Sequence, residues 1–205
     1  MSHCIRGHVI ATSMALLGIC AVADLDSAWA DTYSANQAIF GFGGLLVNDD
    51  MAAAANIFSA DYEDNLLIGG GYQNFLYSDH LGIQYGLEVG AVGRFGDSSS
   101  AEVWGGLVMR HAGFSVANAI HISPAFTVGI SGITDTIGRE TRNELADSGD
   151  ATLLFYLGPE LSVSRSSARD TELFWRLHHR SGADGMLGNM RGAANANVLG
   201  FRSRF

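Results

Sequence analysis

The sequence predicts an all-β fold, an eight-stranded antiparallel transmembrane β-barrel of the outer-membrane type. Three observations predict it. Apolar and polar residues alternate over stretches of ten residues or more, as in "LGIQYGLEVGAVGR" and "AIHISPAFTVGIS", and a period of two means strand. The connections between these stretches alternate between long and short, the pattern of a barrel with long outer loops and short periplasmic turns. The chain closes on "VLGFRSRF", where Leu199, Phe201 and Phe205 share one face and Arg202 and Arg204 the other.

Before the barrel comes an export segment. Residues 1–30 carry Arg6, then the apolar run "VIATSMALLGICAVA", then "SAWA" with Ala28 and Ala30 as an A-x-A cleavage site. The run is short and followed by small residues, so it reads as a signal peptide and not as a membrane anchor. "LGIC" is no lipoprotein box, because Ile19 is bulky for the position before the cysteine. Both cysteines, Cys4 and Cys20, fall in this segment, so the expected barrel domain, 31–205, has no disulfide to rely on. The segment holds Arg6, Asp24 and Asp26, so its removal takes the net charge from −9 to −8. An acidic chain argues against nucleic acid as a partner. There is no lysine, and every strong base is arginine.

The strands are expected at 36–47, 65–76, 81–94, 101–111, 116–131, 151–165, 171–181 and 194–205. The first two alternate poorly. In the third, Leu87, Val89 and Ala91 oppose Glu88 and Arg94; in the sixth, Leu153, Phe155, Leu157 and Leu161 oppose Tyr156 and Glu160. Strands this long exceed the usual ~5–6 residues of soluble proteins. Connections 48–64, 132–150 and 182–193 are long, 95–100 intermediate, and 77–80, 112–115 and 166–170 short. "MAAAANIF" reads as a short helix in the first long loop. The 26 glycines against 2 prolines suit strands with close backbone approaches. In a barrel this small side chains fill the interior. Glu88, Glu102, Glu160 and Glu172 are expected to meet Arg94, Arg110, Arg176, Arg202 and Arg204 there as an ion-pair network, since buried charges demand partners.

The seventh strand, "TELFWRLHHRS", places Leu173, Trp175, Leu177, His179 and Ser181 on the apolar, lipid-facing side. If the chain starts on the periplasmic side, this strand runs outward and His179 and Ser181 sit near the outer leaflet. A serine becomes a nucleophile beside a base, and histidine serves. The sequence has no GxSxG elbow, no HExxH motif and no metal-ligand cluster, and no cofactor is expected.

"LHHRSGA" followed by "NVLGFRSRF" resembles the lipid A 3-O-deacylase family of outer-membrane barrel enzymes, also known as acyloxyacyl hydrolases, most clearly over residues 151–205. The resemblance implies a serine esterase on the barrel's outer surface, with Ser181 as nucleophile, His179 as base and lipopolysaccharide in the outer leaflet as substrate. It also implies an amide oxyanion donor eight places after the serine, at Asn189. Gly182 stands where the family commonly has asparagine, and no acid follows Asp184. Asn195 is left to orient His179, as asparagine does in Cys-His-Asn triads. Catalysis is then slow, or another acid serves, or the barrel is no enzyme. An acyl chain would lie beside Trp175, and Arg180 and Arg191 would grip phosphates. The expected partners are lipid A, outer-membrane lipid and, through the carboxyl-terminal strand, the barrel-assembly machinery. Competing readings are a non-enzymatic barrel with structural or adhesive loops, and a soluble lipid carrier, which the polar interior set opposes.

Overall fold

The computed structural model describes residues 35–205; the expected signal peptide, with Cys4 and Cys20, lies outside them. Its elements are β1 (Gln37–Val47), α1 (Met51–Ala54), β2 (Tyr62–Ser78), β3 (Ile83–Phe95), β4 (Ser99–His111), β5 (Phe114–Val116), β6 (Ile120–Ile133), α2 (Arg139–Asp147), β7 (Leu153–Arg165), β8 (Ala168–Ser181) and β9 (Ala193–Arg204). The eight long strands pair antiparallel with their neighbours, and β1 pairs β9 and β4 pairs β6 to close the ring. Closure leaves no free sheet edge, which is what lets strands cross hydrocarbon.

Parity sorts the side chains. Ile68 is 61 % and Leu199 is 68 % exposed on the outside, while their strand neighbours Leu67 and Val198 are buried inside. The outside is an apolar belt and the inside is charged and aromatic, the reverse of a water-soluble barrel. This is a transmembrane barrel of the bacterial outer membrane, and the lipid-carrier reading is excluded.

The interior network forms as expected. Arg176 binds Glu88 at 2.8 Å and Glu160 at 2.7 Å; Arg110 and Arg202 each reach Glu160 and Glu172. Arg94 donates to Glu140 of α2 at 2.6 Å. Phe40, Phe42, Trp104, Tyr156 and Phe174 stack among these charges. These inward aromatics are why β1 alternates poorly: apolar residues occupy both of its faces. They also explain the glycines, because a Cβ at Gly90 would lie inside the Trp104 ring. A cavity of about 10 Å3 beside Arg94, Glu102 and His178 has room for roughly one water, and buried charged and aromatic side chains fill the lumen around it.

Three connections differ from expectation. The 95–100 link is a tight turn between Phe95 and Ser99. The expected strand 116–131 straddles a turn at Ala117 and Asn118, both left-handed, so a short β5 forms a hairpin with the start of β6. The second long loop contains α2, which no apolar periodicity announces: its buried side chain is Glu140, held by Arg94 and Arg180 in the barrel mouth.

Candidate functional site

β8 carries the site, and parity again decides what each residue meets. Arg176, His178 and Arg180 point inward. His179 and Ser181 point outward with Leu177. Across the ladder, His179 faces Asn195 of β9, and the two side chains meet, His179 Nδ1 to Asn195 Oδ1 at 2.6 Å. The other end of the Asn195 amide donates from Nδ2 to the Asp49 carbonyl at 2.9 Å. That second bond fixes the amide's orientation, so its oxygen accepts from His179. His179 then carries its proton on Nδ1 and presents an Nε2 lone pair, the form a general base needs.

Ser181 is half-buried. Its Oγ accepts from the Ala183 N–H at 3.1 Å, which leaves the hydroxyl proton available to donate. Oγ makes no hydrogen bond to His179 among the described residues. Two residues of strand separate the pair by roughly 6.6 Å of rise, so a rotamer change of either side chain is needed to join them.

His179 and Asn195 face outward yet are only 5 % and 2 % exposed. The expectation of a couple open to lipid is therefore corrected. The first long loop, 48–61, folds back over the outside of the wall. Its Asp49 carbonyl takes Asn195, its Ala54 carbonyl takes Asn197 Nδ2 at 2.9 Å, and Met51, Ala54 and Ala60 pack on Val47, Leu177 and Trp175. Trp175 is half-buried in this contact, with its Nε1 donating to Asn197 Oδ1 at 3.0 Å.

Two expected site residues lie elsewhere. Arg180 is inside the barrel, where it donates from Nε to Ser131 Oγ at 2.6 Å, from Nη2 to the Ala151 carbonyl at 2.8 Å, and pairs with Glu140. No phosphate outside the wall reaches it. Strand parity places it on the inward side, between His179 and Ser181; its partner on α2 is the part hidden from sequence. Asn189 turns its amide away from Ser181, donating from Nδ2 to the Asp147 carbonyl at 2.9 Å, with its own backbone left-handed. It ties the last loop to α2 and does not reach an oxyanion beside Ser181. Arg191 stays exposed in that loop.

Asn197, Asp49 and the loop above them were missed. A signal existed: Asn195 and Asn197 are polar residues in register with the apolar Leu199 and Phe201, and a lipid-facing asparagine needs a partner.

No protein-family model matches the chain, and no curated protein matches it. Among solved structures, the crystal structure of the outer membrane enzyme PagL aligns with a TM-score of 0.54 at 11 % identity, covering 82 % of this chain and 99 % of that one. Neisserial surface protein A aligns at 0.46 and 9 % identity, covering 82 % and 96 %. Ail of Yersinia pestis aligns at 0.37 and 12 %, covering 82 % and 97 %. The likeness to PagL is one of fold.

Proposed function

We propose that the chain is an outer-membrane serine esterase that removes an ester-linked acyl chain from lipid A of lipopolysaccharide. Residues 1–30 direct its export, and 31–205 form the working domain. The single observation that carries the reading is the His179–Asn195 bond, on the outward side of the wall with Ser181 next along the same face. A histidine held in one tautomer by a neutral amide has a structural use only as a tether. Beside an outward serine at the top of a membrane barrel, that tautomer also supports a general base, one that the covering loop must expose before an ester can reach it.

In this mechanism Ser181 Oγ attacks the ester carbonyl while its proton passes to His179 Nε2. The tetrahedral intermediate collapses, the proton returns to the departing sugar hydroxyl, and water then releases the fatty acid from Ser181 by the reverse sequence. The Ala183 N–H, 3.1 Å from Oγ, is a backbone donor beside the reacting oxygen that would turn to the oxyanion as the intermediate forms. Asn195 supplies the tautomer and the orientation but no negative charge to stabilise the imidazolium, so the rate should fall below that of a carboxylate triad.

The test uses the full chain purified in detergent micelles and mixed with lipopolysaccharide, with released fatty acid measured by mass spectrometry. Release that disappears in Ser181→Ala supports the mechanism; equal release from Ser181→Ala removes it.

A second reading, a non-enzymatic barrel with structural or adhesive loops, is favoured by one observation. The last two outer loops are bound into one surface, through Asp147 to Arg191 and Gly192 and through Asn143 to the Ala193 carbonyl. It expects His179→Ala and Ser181→Ala to be without effect. Under either reading, the last strand ending at Phe205 is what the barrel-assembly machinery would engage.

A further inference from the structure

The first outer loop offers an inference that does not depend on the esterase reading. It does not rise from the rim into water. It is fastened to the outside of the wall at Asn195, Leu177 and Asn197. Asn197 lies four residues below the top of β9, which for a tilted strand is about 10 Å below the rim. Just beneath it on the same face come bare Leu199 and Phe201, the start of the lipid belt.

The composition of the loop changes where it descends. Its two ends are acidic, with Asp49 and Asp50 on one side and Asp61, Glu63 and Asp64 on the other. The span between them, "MAAAANIFSA" (51–60), contains no charge. One side of that span packs on the wall. The other presents Ala52, Ala53, Ala55 and Phe58, with the short, uncharged polar side chains of Asn56 and Ser59 exposed beside them; Phe58 is 94 % exposed.

Most of the backbone N–H groups of the span are bonded within the loop. Asp50 Oδ1 caps α1 by accepting from the N–H groups of Ala52 and Ala53. Ala54 and Ala55 donate to Asp50 and Met51, and Asn56, Ser59 and Ala60 donate to carbonyls of Ala53 and Asn56. Phe58 donates to Asn56 Oδ1, and Tyr62 donates to the Ile57 carbonyl. N–H groups that meet hydrocarbon need such partners, because no water is there to supply them.

We propose that the Ala52–Ala53–Ala55–Phe58 face of this loop docks into the outer-leaflet lipid, with Phe58 entering the acyl region. The depth, the missing charge, the bonded N–H groups and the exposed phenyl ring agree on that partner. A consequence follows for the wall beneath: lipid holds down the loop that covers His179 and Asn195.

The experiment places a bimane fluorophore at Phe58→Cys, in the full chain carrying Cys4→Ser and Cys20→Ser, refolded into phosphatidylcholine vesicles. Phe201→Cys in the lipid belt and Leu145→Cys on the outer side of α2 are the reference positions. Two quenchers are compared: a nitroxide near the carboxyl end of the lipid acyl chains, and iodide in the water. The expected result is quenching of Phe58→Cys by the lipid nitroxide comparable to that of Phe201→Cys, with iodide access far below that of Leu145→Cys. Quenching by iodide alone overturns the proposal. Protection from both quenchers also overturns it, because protein, such as a second copy, then covers the face. Ala55→Cys reads the same face if the Phe58 variant does not refold. None of these outcomes depends on acyl release, so esterase activity stands or falls separately.

Discussion

His178 and His179 are adjacent in the chain and live in different environments. His178 faces inward, with Nε2 2.9 Å from Glu102, Nδ1 3.3 Å from the Tyr156 hydroxyl and its ring edge-on to Trp104. His179 faces outward, with the Asn195 amide on Nδ1 and no hydrogen bond to Nε2 among the described residues. Both ring nitrogens of the first are bonded inside a charged core; only one nitrogen of the second is. A barrel wall one residue thick thus separates a histidine used for packing from one fit for chemistry, and strand parity alone decides which is which.

The inner side should respond most strongly to mutation. Glu160 accepts from Arg110, Arg176 and Arg202. Glu160→Ala leaves three guanidinium groups facing each other without it, and removing one partner from a buried pair costs about 3–5 kcal/mol. Urea unfolding in detergent micelles, followed by the shift of the folded barrel on gels, should show that loss. A Glu160→Ala barrel as stable as the parent would mean that the aromatic stack and the strand ladders hold the fold without the ions.

The two histidines set up the next comparison. His178→Ala leaves Glu102 without its closest partner and should cost about 1–3 kcal/mol. His179→Ala breaks one hydrogen bond and should cost about 0.5–1.5 kcal/mol. Activity should order them the other way, with acyl release lost in His179→Ala and kept in His178→Ala barrels that fold. Equal effects on both readouts would remove the division of labour between the two faces.

Much of this was legible beforehand, and for one reason. The barrel, its closing strand and the partners Glu88, Glu160 and Arg176 follow from a period of two, and parity is local. Asn195 comes from the resemblance and not from register: the expected strand ends, 181 and 194, would set His179 opposite Ala196, one place from its observed partner. The covering loop was not legible. Contacts such as Ala54 to Asn197 join residues 143 positions apart, and no local rule says which way a loop leaves the rim. The same limit hid Glu140: it looks like a solvated helix residue until Arg94 and Arg180 are seen beneath it. Asn189 was placed by spacing alone, and spacing does not say which way a side chain in a left-handed turn points.

The loop's grip on the wall gives a smaller effect. Trp175→Phe keeps the ring's bulk but removes the indole donor to Asn197, a change of about 1 kcal/mol. The loss should appear as faster amide exchange over residues 51–60, with β8 unchanged above and below. Unchanged exchange would mean that the apolar contacts of Leu177 and Ala54 are enough to seat the loop.

The smallest effect lies at the rim and depends on pH. The Asp147 carboxylate accepts from the N–H groups of Arg191 at 2.7 Å and Gly192 at 3.1 Å, and these bonds, that of Arg191 first, hold its carboxyl below the usual value. A carboxyl with a lowered folded pKa stabilises the folded arrangement above its unfolded value, about 3.9, and loses that contribution as pH falls through the lowered one. The clamp between α2 and the last loop should therefore hold at neutral pH and slacken below about pH 4. The site is exposed, so the barrel itself should not respond. Amide exchange at Arg191 and Gly192, corrected for the intrinsic effect of pH, should rise in acid while β8 stays protected, and Asp147→Asn should show faster exchange already at neutral pH. If the two amides exchange alike at both pH values and in the variant, the carboxylate does not hold the loop, and the Asn189 bond to the Asp147 carbonyl is what joins the two loops.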